Sequence, residues 1–150
     1  MHKMLVNGIA ALIGLAGWTS LADAGLFSAT APVIAILTDE LFVGEAEGHL
    51  GGEGVIAIRS PARPDRACVG QFAFSARLDG EGQLQCSDGT NVTFTFQRLS
   101  LLRGYGVGNS DRGSMSFTYG LTATQSEPYL QLPAGKKLKL DGKELALVDA

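Results

Sequence analysis

The segment Asn91-Val92-Thr93-Phe94-Thr95-Phe96-Gln97 alternates strictly between polar and apolar residues. The same period of two runs through residues 68–78 and 114–121. Such alternation is typical of antiparallel strands with one face in the core and the other in water. No stretch after Ala24 has a helical period over three turns. The sequence therefore predicts an all-β fold, a small antiparallel barrel or sandwich of about eight strands.

The apolar positions of these strands form the predicted core. Its members share the inward parity of their strands and are Phe72, Phe74, Val92, Phe94, Phe96, Met115, Phe117 and Tyr119. A further segment carries mostly small residues on one parity, namely Phe42, Gly44, Ala46 and Gly48. Small residues at such positions indicate the close approach of another backbone or a tight taper.

Glycine pairs and repeats predict where the chain turns. Asp79-Gly80, Asp88-Gly89 and Asp141-Gly142 suit the positive φ angles of tight hairpins. A turn centred on the last pair places Leu138 opposite Leu145. A Leu-x-Gly-x-Gly motif also recurs, beginning at residues 50, 78 and 102. It predicts a repeated hairpin corner in which glycine relieves the bend of a curled sheet.

Composition narrows the class of protein. The 150 residues suffice for one domain, and 45% apolar with 18% charged residues argues against disorder. The 20 glycines are nearly twice the usual share of ~7%. With 12 basic and 15 acidic residues, the net charge of −3 argues against a general nucleic-acid binder.

The first residues have the layout of an export signal. Lys3 is followed by an apolar run over Met4–Trp18 and by Ala22-Asp23-Ala24, a small-x-small cleavage site. The run is shorter than the ~20 residues that span a bilayer. We therefore predict a signal peptide over residues 1–24 and a single β domain over 25–150, periplasmic or secreted. An uncleaved anchor and a cytosolic amphipathic start are the alternatives.

Cys68 and Cys86 are predicted to form a disulfide, because an exported chain meets an oxidising compartment. Two free thiols, or a zinc pair without enough further ligands, are the alternatives. If the hairpin turns at Asp79-Gly80, Cys86 faces position 74 or 75, and direct pairing needs a turn centred near Arg77. The bridge is thus expected to cross the interior of a curved sheet, unless a bulge shifts the register.

Four motifs occur in a distinctive order: Cys68-Val69-Gly70-Gln71-Phe72, Cys86-Ser87-Asp88-Gly89, Gly104-Tyr105-Gly106-Val107-Gly108 and Phe117-Thr118-Tyr119-Gly120. In this order the sequence from Gly52 to Gly120 resembles an uncharacterised group of small exported proteobacterial proteins. The resemblance implies a disulfide-linked β domain in the cell envelope and no particular activity. Many members of the group look like lipoproteins, whereas this chain lacks the cysteine that would carry the lipid.

Candidate catalytic residues are few. His49 is the single histidine after position 24, and it shares a predicted solvated strand face with Glu45 and Glu47. These carboxylates, with Glu53 and Glu81, could supply the acid pair of a glycosidase. The sequence has no Gly-x-Ser-x-Gly motif to place a nucleophile. We therefore predict no enzyme, cofactor or metal site, but a non-catalytic envelope protein with a binding or structural role. An envelope glycan hydrolase is the alternative.

Predicted partners are an envelope protein or a glycan, and nucleic acid is excluded. The outward residues of the strands are Ser, Thr and Gln, which argues against insertion into a membrane after signal cleavage. One basic patch, formed by Lys136, Lys137, Lys139 and Lys143, could touch anionic lipid or polysaccharide. Lysine also commonly protects an exposed edge strand. The oligomeric state is left open.

Overall fold

The computed structural model describes residues 28–75 and 79–150. The predicted signal peptide over residues 1–24 lies outside the described residues and stays a prediction.

Eight antiparallel strands form a closed barrel. Each strand pairs with the next along the chain, and the first closes the barrel against the eighth. The strands are β1 (Ser28–Leu37), β2 (Glu40–His49), β3 (Glu53–Arg59), β4 (Ala67–Phe74), β5 (Asp79–Cys86), β6 (Asn91–Ser100), β7 (Arg103–Ser110) and β8 (Gly113–Tyr119). The predicted all-β fold is confirmed, and the barrel is the correct choice over the sandwich.

The period of two sorts the side chains between the barrel interior and the outer wall. Val92, Phe94 and Phe96 on β6 are buried, whereas the intervening residues of that strand are exposed. Met115 and Phe117 on β8 are buried as well. The remaining predicted core residues are half-buried and pack against this cluster: Phe72, Phe74 and Tyr119. The predicted core is therefore confirmed.

Inward glycines on the odd-numbered strands face aromatic rings on the even-numbered strands. Gly106 on β7 lies between Phe96 on β6 and Phe117 on β8. Gly82 on β5 lies in the same way between Phe72 and Phe94. A barrel of eight strands is just wide enough for side chains to fill it, so the alternation of small and large residues lets rings fit.

The three Leu-x-Gly-x-Gly motifs lead into β3, β5 and β7, all at the same end of the barrel. The first motif begins with a turn over residues 50–52, and the third begins at Leu102 in the β6–β7 turn, so the predicted hairpin corner is confirmed at these two motifs. The first residue of the second motif lies outside the described residues. The last glycine of each motif, by contrast, faces inward within a strand, at Gly54, Gly82 and Gly106. Its main role is to make room for a ring.

The predicted Asp88-Gly89 turn occurs, and the turn predicted at Asp141-Gly142 is displaced by one residue to Gly142-Lys143. Gly89 lies in the β5–β6 turn with φ of +88°. The prediction for Asp79-Gly80 is wrong, because both residues belong to β5 and Gly80 pairs with Phe74 and Phe96. In this register Gly80 gives the two rings their space.

The disulfide joins Cys68 on β4 directly to Cys86, its partner on β5. The interpretation as a bridge across the interior of a curved sheet is wrong, because Gly80 lies opposite Phe74 and the same register places Cys86 directly opposite Cys68. The neighbouring Ser87 donates its N–H to the Ala67 carbonyl. Cys68 and Cys86 therefore form the non-hydrogen-bonded type of pair, in which side chains are closest. The free-thiol and zinc alternatives are excluded.

The chain after β8 covers part of the outer wall. It contains helix α1 (Ala123–Ser126), a 3₁₀ turn (Glu127–Tyr129) and a separate hairpin of β9 (Lys136–Asp141) and β10 (Glu144–Asp149). Leu130 and Leu138 from this segment pack on Ile34, Ile36 and Leu41 of β1 and β2. Four helical residues are too few to give a periodic signal, so the sequence did not indicate α1.

The register of the last hairpin differs from the prediction. Leu138 lies opposite Leu147 instead of Leu145, and Leu140 lies opposite Leu145. This register matches the leucines of the two strands in pairs on one face. Gly142 begins the two-residue loop with φ of +64°, a conformation that glycine adopts without strain.

Candidate functional site

One end of the barrel contains an apolar pocket of about 80 Å³. We call this end the mouth, and it is the end that bears the β2–β3, β4–β5 and β6–β7 hairpins. Its rings come from three even-numbered strands and are Phe72, Phe74, Phe94, Phe96, Phe117 and Tyr119. The wall opposite carries small residues from β1 and β2, namely Ala29, Ala31, Ala46 and Gly48. The mouth is therefore lined by large rings that face small side chains.

The small residues of β1 and β2 explain why space remains there. The rings pack edge-to-face among themselves, with centroids 5.2 Å apart for Phe74–Phe96 and for Phe94–Phe117. At Gly48 an added Cβ would meet no atom within 4 Å. At Gly44, deeper in the same strand, it would collide with the Ala57 carbonyl. The prediction of close backbone approach thus holds at Gly44, whereas Gly48 borders the pocket.

Two polar side chains stand together at the mouth. Arg98 on β6 and Tyr119 on β8 both pair with Gly104 on β7, so the three residues form one inward row. Because Gly104 has no side chain, the Tyr119 hydroxyl lies over its backbone. The Arg98 guanidinium carbon lies 3.9 Å from the centroid of the Phe74 ring. The β6–β7 register shifts immediately after Arg98.

Two polar atoms of this row are buried, one on Arg98 and one on Tyr119. Arg98 Nε and Tyr119 Oη are buried, and neither has a hydrogen-bond partner in the described part of the chain. Burial raises the pKa of the Tyr119 hydroxyl, and the Arg98 charge offsets part of that effect. The hydroxyl is therefore a neutral O–H donor at physiological pH.

Exposed leucines surround the mouth. Leu50 in the β2–β3 hairpin is 85% exposed, and Leu101 in the β6–β7 hairpin is 78% exposed. Leu101 and Leu102 also line the pocket. Large apolar side chains grouped at a surface around a pocket are typical of a binding site.

The opposite end of the barrel is polar and held by ion pairs. Glu40 pairs with Arg63 at 3.0 Å and with Arg66 at 3.3 Å. Asp88 pairs with Arg66 at 2.9 Å and with Arg112 at 3.1 Å. These contacts tie together the β1–β2, β3–β4, β5–β6 and β7–β8 connections. This end is therefore braced by charged groups, in contrast to the apolar mouth.

Both carboxylates of this network are favoured in their charged form. Burial alone would raise the pKa of Glu40, but hydrogen bonds from Arg63 and Ser60 and the charge of Arg66 bring it below its ordinary value. Hydrogen bonds from Thr90 lower the pKa of Asp88, and the arginines add to the effect.

The carboxylates considered from sequence lie elsewhere. Glu45, Glu47 and His49 share the outward parity of β2, and His49 Nε2 is 3.4 Å from Glu47 Oε1 with both side chains well exposed. Glu53 and Glu81 flank Ala73 on the outer wall. These side chains line a broad, shallow concavity on the outside of the barrel. They do not meet the pocket at the mouth.

Sequence reasoning missed Arg98 and the mouth itself. The alternation in the sequence does indicate that Arg98 faces inward, because Arg98 continues the inward positions of Val92, Phe94 and Phe96. A charged residue on the apolar parity of a strand either finds a buried partner or marks a site. The neighbours that make this row can be recognised only once the strands are in register.

The comparisons with known proteins support the fold. No family model and no curated protein matches this sequence. The structure of a redesigned β-barrel is similar, with a TM-score of 0.51 and 14% identity over 66% of this chain and 94% of the other. Such low identity shows the fold alone. The resemblance to exported proteobacterial proteins stays a prediction.

Residues 28–75 and 79–150 contain neither a membrane-spanning helix nor a cluster of metal ligands. Within these ranges no helix combines the length and the hydropathy that crossing a membrane requires. Across the same residues no group of three or more His, Cys, Asp or Glu side chains is placed to hold a metal ion.

Proposed function

We propose that this protein is an exported, non-catalytic binding protein of the cell envelope, which takes an apolar group of its ligand into the mouth of the barrel. The observation that carries the proposal is the apolar, ring-lined pocket at that end. Apolar pockets with a few polar groups are the usual form of a small-ligand site. The Cys68–Cys86 disulfide supports a periplasmic or secreted location, because such bonds persist in oxidising compartments.

The pocket volume limits what can enter. A dry cavity of ~150 Å³ lined by apolar side chains holds a benzene molecule. At about 80 Å³ the mouth suits a narrower group, such as three or four methylenes at the end of an alkyl chain. Each buried methylene contributes ~0.8 kcal/mol, so the pocket supplies on the order of 3 kcal/mol of binding free energy.

The test fills the pocket without disturbing the fold. Gly48→Leu places a side chain where an added Cβ meets no atom within 4 Å. Gly51→Leu is the matched control, because it makes the same change on an exposed residue three positions away that does not line the pocket. Residues 25–150, with the disulfide formed, are titrated with 1-octanol and followed by the amide resonances.

We expect 1-octanol to change the chemical shifts of amides around the mouth in the parent protein and in Gly51→Leu. In Gly48→Leu these chemical-shift changes should be absent. Thermal unfolding of all three proteins shows that each is folded. Absence of binding to the folded parent, or unchanged binding in Gly48→Leu, would refute the proposal.

The alternative function, an envelope glycan hydrolase, rests on Glu45 and Glu47. It predicts that the protein releases soluble fragments from peptidoglycan and that Glu45→Gln/Glu47→Gln abolishes the release. The binding proposal predicts no release by either protein. Fragments released by the parent alone would support the hydrolase.

A further inference from the structure

We infer that the mouth recognises an anionic head group, of which a carboxylate is the simplest example, attached to the apolar chain that enters the pocket. Arg98 and Tyr119 supply the recognition. This inference rests on the proposed function and names the chemical class of its ligand: a medium-chain anionic amphiphile.

The geometry brings the two donors to one place. Arg98 and Tyr119 are both partners of Gly104 and lie on either side of it in the same inward row. Because Gly104 has no side chain, the Tyr119 hydroxyl reaches over its backbone toward the side of the row on which Arg98 lies. The Tyr119 ring itself lines the pocket, and the Arg98 guanidinium lies on the Phe74 ring, which lines it too. A group held by both donors is therefore adjacent to the entrance of the apolar pocket.

The hydrogen-bonding state of the row indicates an acceptor. Arg98 Nε and Tyr119 Oη are buried without partners in the described chain, and an unpaired buried donor costs free energy. An arginine is always a donor, and a neutral tyrosine hydroxyl donates as well. A carboxylate accepts from both donors, because it has two oxygens and no proton of its own to place.

The charge of the row agrees with this assignment. The arginines and lysine that form ion pairs in residues 28–75 and 79–150 are Arg63, Arg66, Arg112 and Lys136, and Arg98 takes part in none of these pairs. Its contact with Phe74 stabilises the cation but does not neutralise it. The site therefore has one positive charge in partly buried surroundings, where attraction for an anion is stronger than in water.

The experiment compares two ligands with the same chain length. Octanoate and 1-octanol differ only in the head group, so their affinity ratio isolates the contribution of the row. Each is titrated against residues 25–150 and against three variants, Arg98→Met, Tyr119→Phe and Arg103→Met. Arg103→Met is the matched control, because it removes an exposed arginine of the same end that is outside the row.

We expect the parent and Arg103→Met to bind octanoate about tenfold more tightly than 1-octanol, the ratio typical of a hydrogen bond to a charged group. Arg98→Met should bind the two ligands with equal affinity. Tyr119→Phe should lose part of the preference. A structural role of Arg98 alone would lower the stability of the variant without changing the affinity ratio.

Two outcomes separate this inference from the proposed function. Equal binding of the two ligands by the parent, or a preference that Arg98→Met retains, overturns the anionic assignment and leaves the apolar site standing. Absence of binding of both ligands overturns the proposed function as well.

Sedimentation with phosphatidylglycerol vesicles, against phosphatidylcholine vesicles, distinguishes the source of the anion. Protein that stays in solution while it binds octanoate recognises a free amphiphile. Arg98-dependent sedimentation with the anionic vesicles assigns a membrane lipid.

Discussion

Replacement of Gly106 by alanine tests the steric arrangement that fits the rings into the barrel. An added Cβ would lie 2.5 Å from Cζ of Phe117 and still closer to the Thr95 carbonyl oxygen. Ordinary contacts begin at 3.4 Å, so both the ring and the β6 backbone must move by about 1 Å. Overpacking of this kind costs up to about 3 kcal/mol. Alanine recovers at least ~0.5 kcal/mol of the entropy that glycine loses in a strand.

The expected net loss of unfolding free energy is therefore about 2 kcal/mol, which lowers the Tm by roughly 8 °C for a domain of this size. Gly48→Ala is the matched control, because Gly48 is also an inward strand glycine and its added Cβ meets nothing within 4 Å. That variant should gain about 0.5 kcal/mol. Thermal unfolding followed by circular dichroism checks both changes. Equal Tm values for the two variants would refute the steric reasoning.

Three further predictions concern stability. Reduction of Cys68–Cys86, which are 18 residues apart, should cost about 3 kcal/mol and lower the Tm by roughly 12 °C, as measured with and without a thiol reductant. Leu138→Ala should cost about 2 kcal/mol, because the side chain is 8% exposed between the last hairpin and the barrel; urea unfolding measures it, and no loss would mean that the hairpin does not stabilise the domain. The pKa of Glu40 is lowered in the folded state, so its contribution is fully present above its ordinary pKa of 4.5 and disappears as the pH falls through the folded value. A pH series of Tm values should therefore decline less steeply on the acid side for Glu40→Gln than for the parent, and parallel declines would contradict the role of Glu40.

The candidate site was less predictable than the fold. His49, Glu45 and Glu47 were candidate catalytic residues because imidazole and carboxylate groups can act as acids and bases. In the structure these residues lie on the outer wall of the barrel. Arg98 was overlooked because an arginine in a strand is usually solvated. Its significance comes from Gly104 and Tyr119, its neighbours across two strand pairings.

The turn errors have a related cause. Asp-Gly is a favourable turn dipeptide, but the β4–β5 hairpin instead follows the register that lets Phe74 and Phe96 occupy the space at Gly80. This choice of register depends on packing between side chains of neighbouring strands, which a dipeptide motif does not encode. A two-residue turn signal is worth less than the correct placement of two rings.

Local alternation in the sequence was sufficient to identify β4, β6 and β8, their inward faces and the aromatic core. These features depend on the period of two, which each strand carries in its own residues. Closure of the barrel, the direct Cys68–Cys86 pairing, the pocket at the mouth and the Arg98–Gly104–Tyr119 row required the folded structure. Each of these depends on which residues of different strands lie opposite one another, and a shift of one residue in register would turn every inward side chain outward.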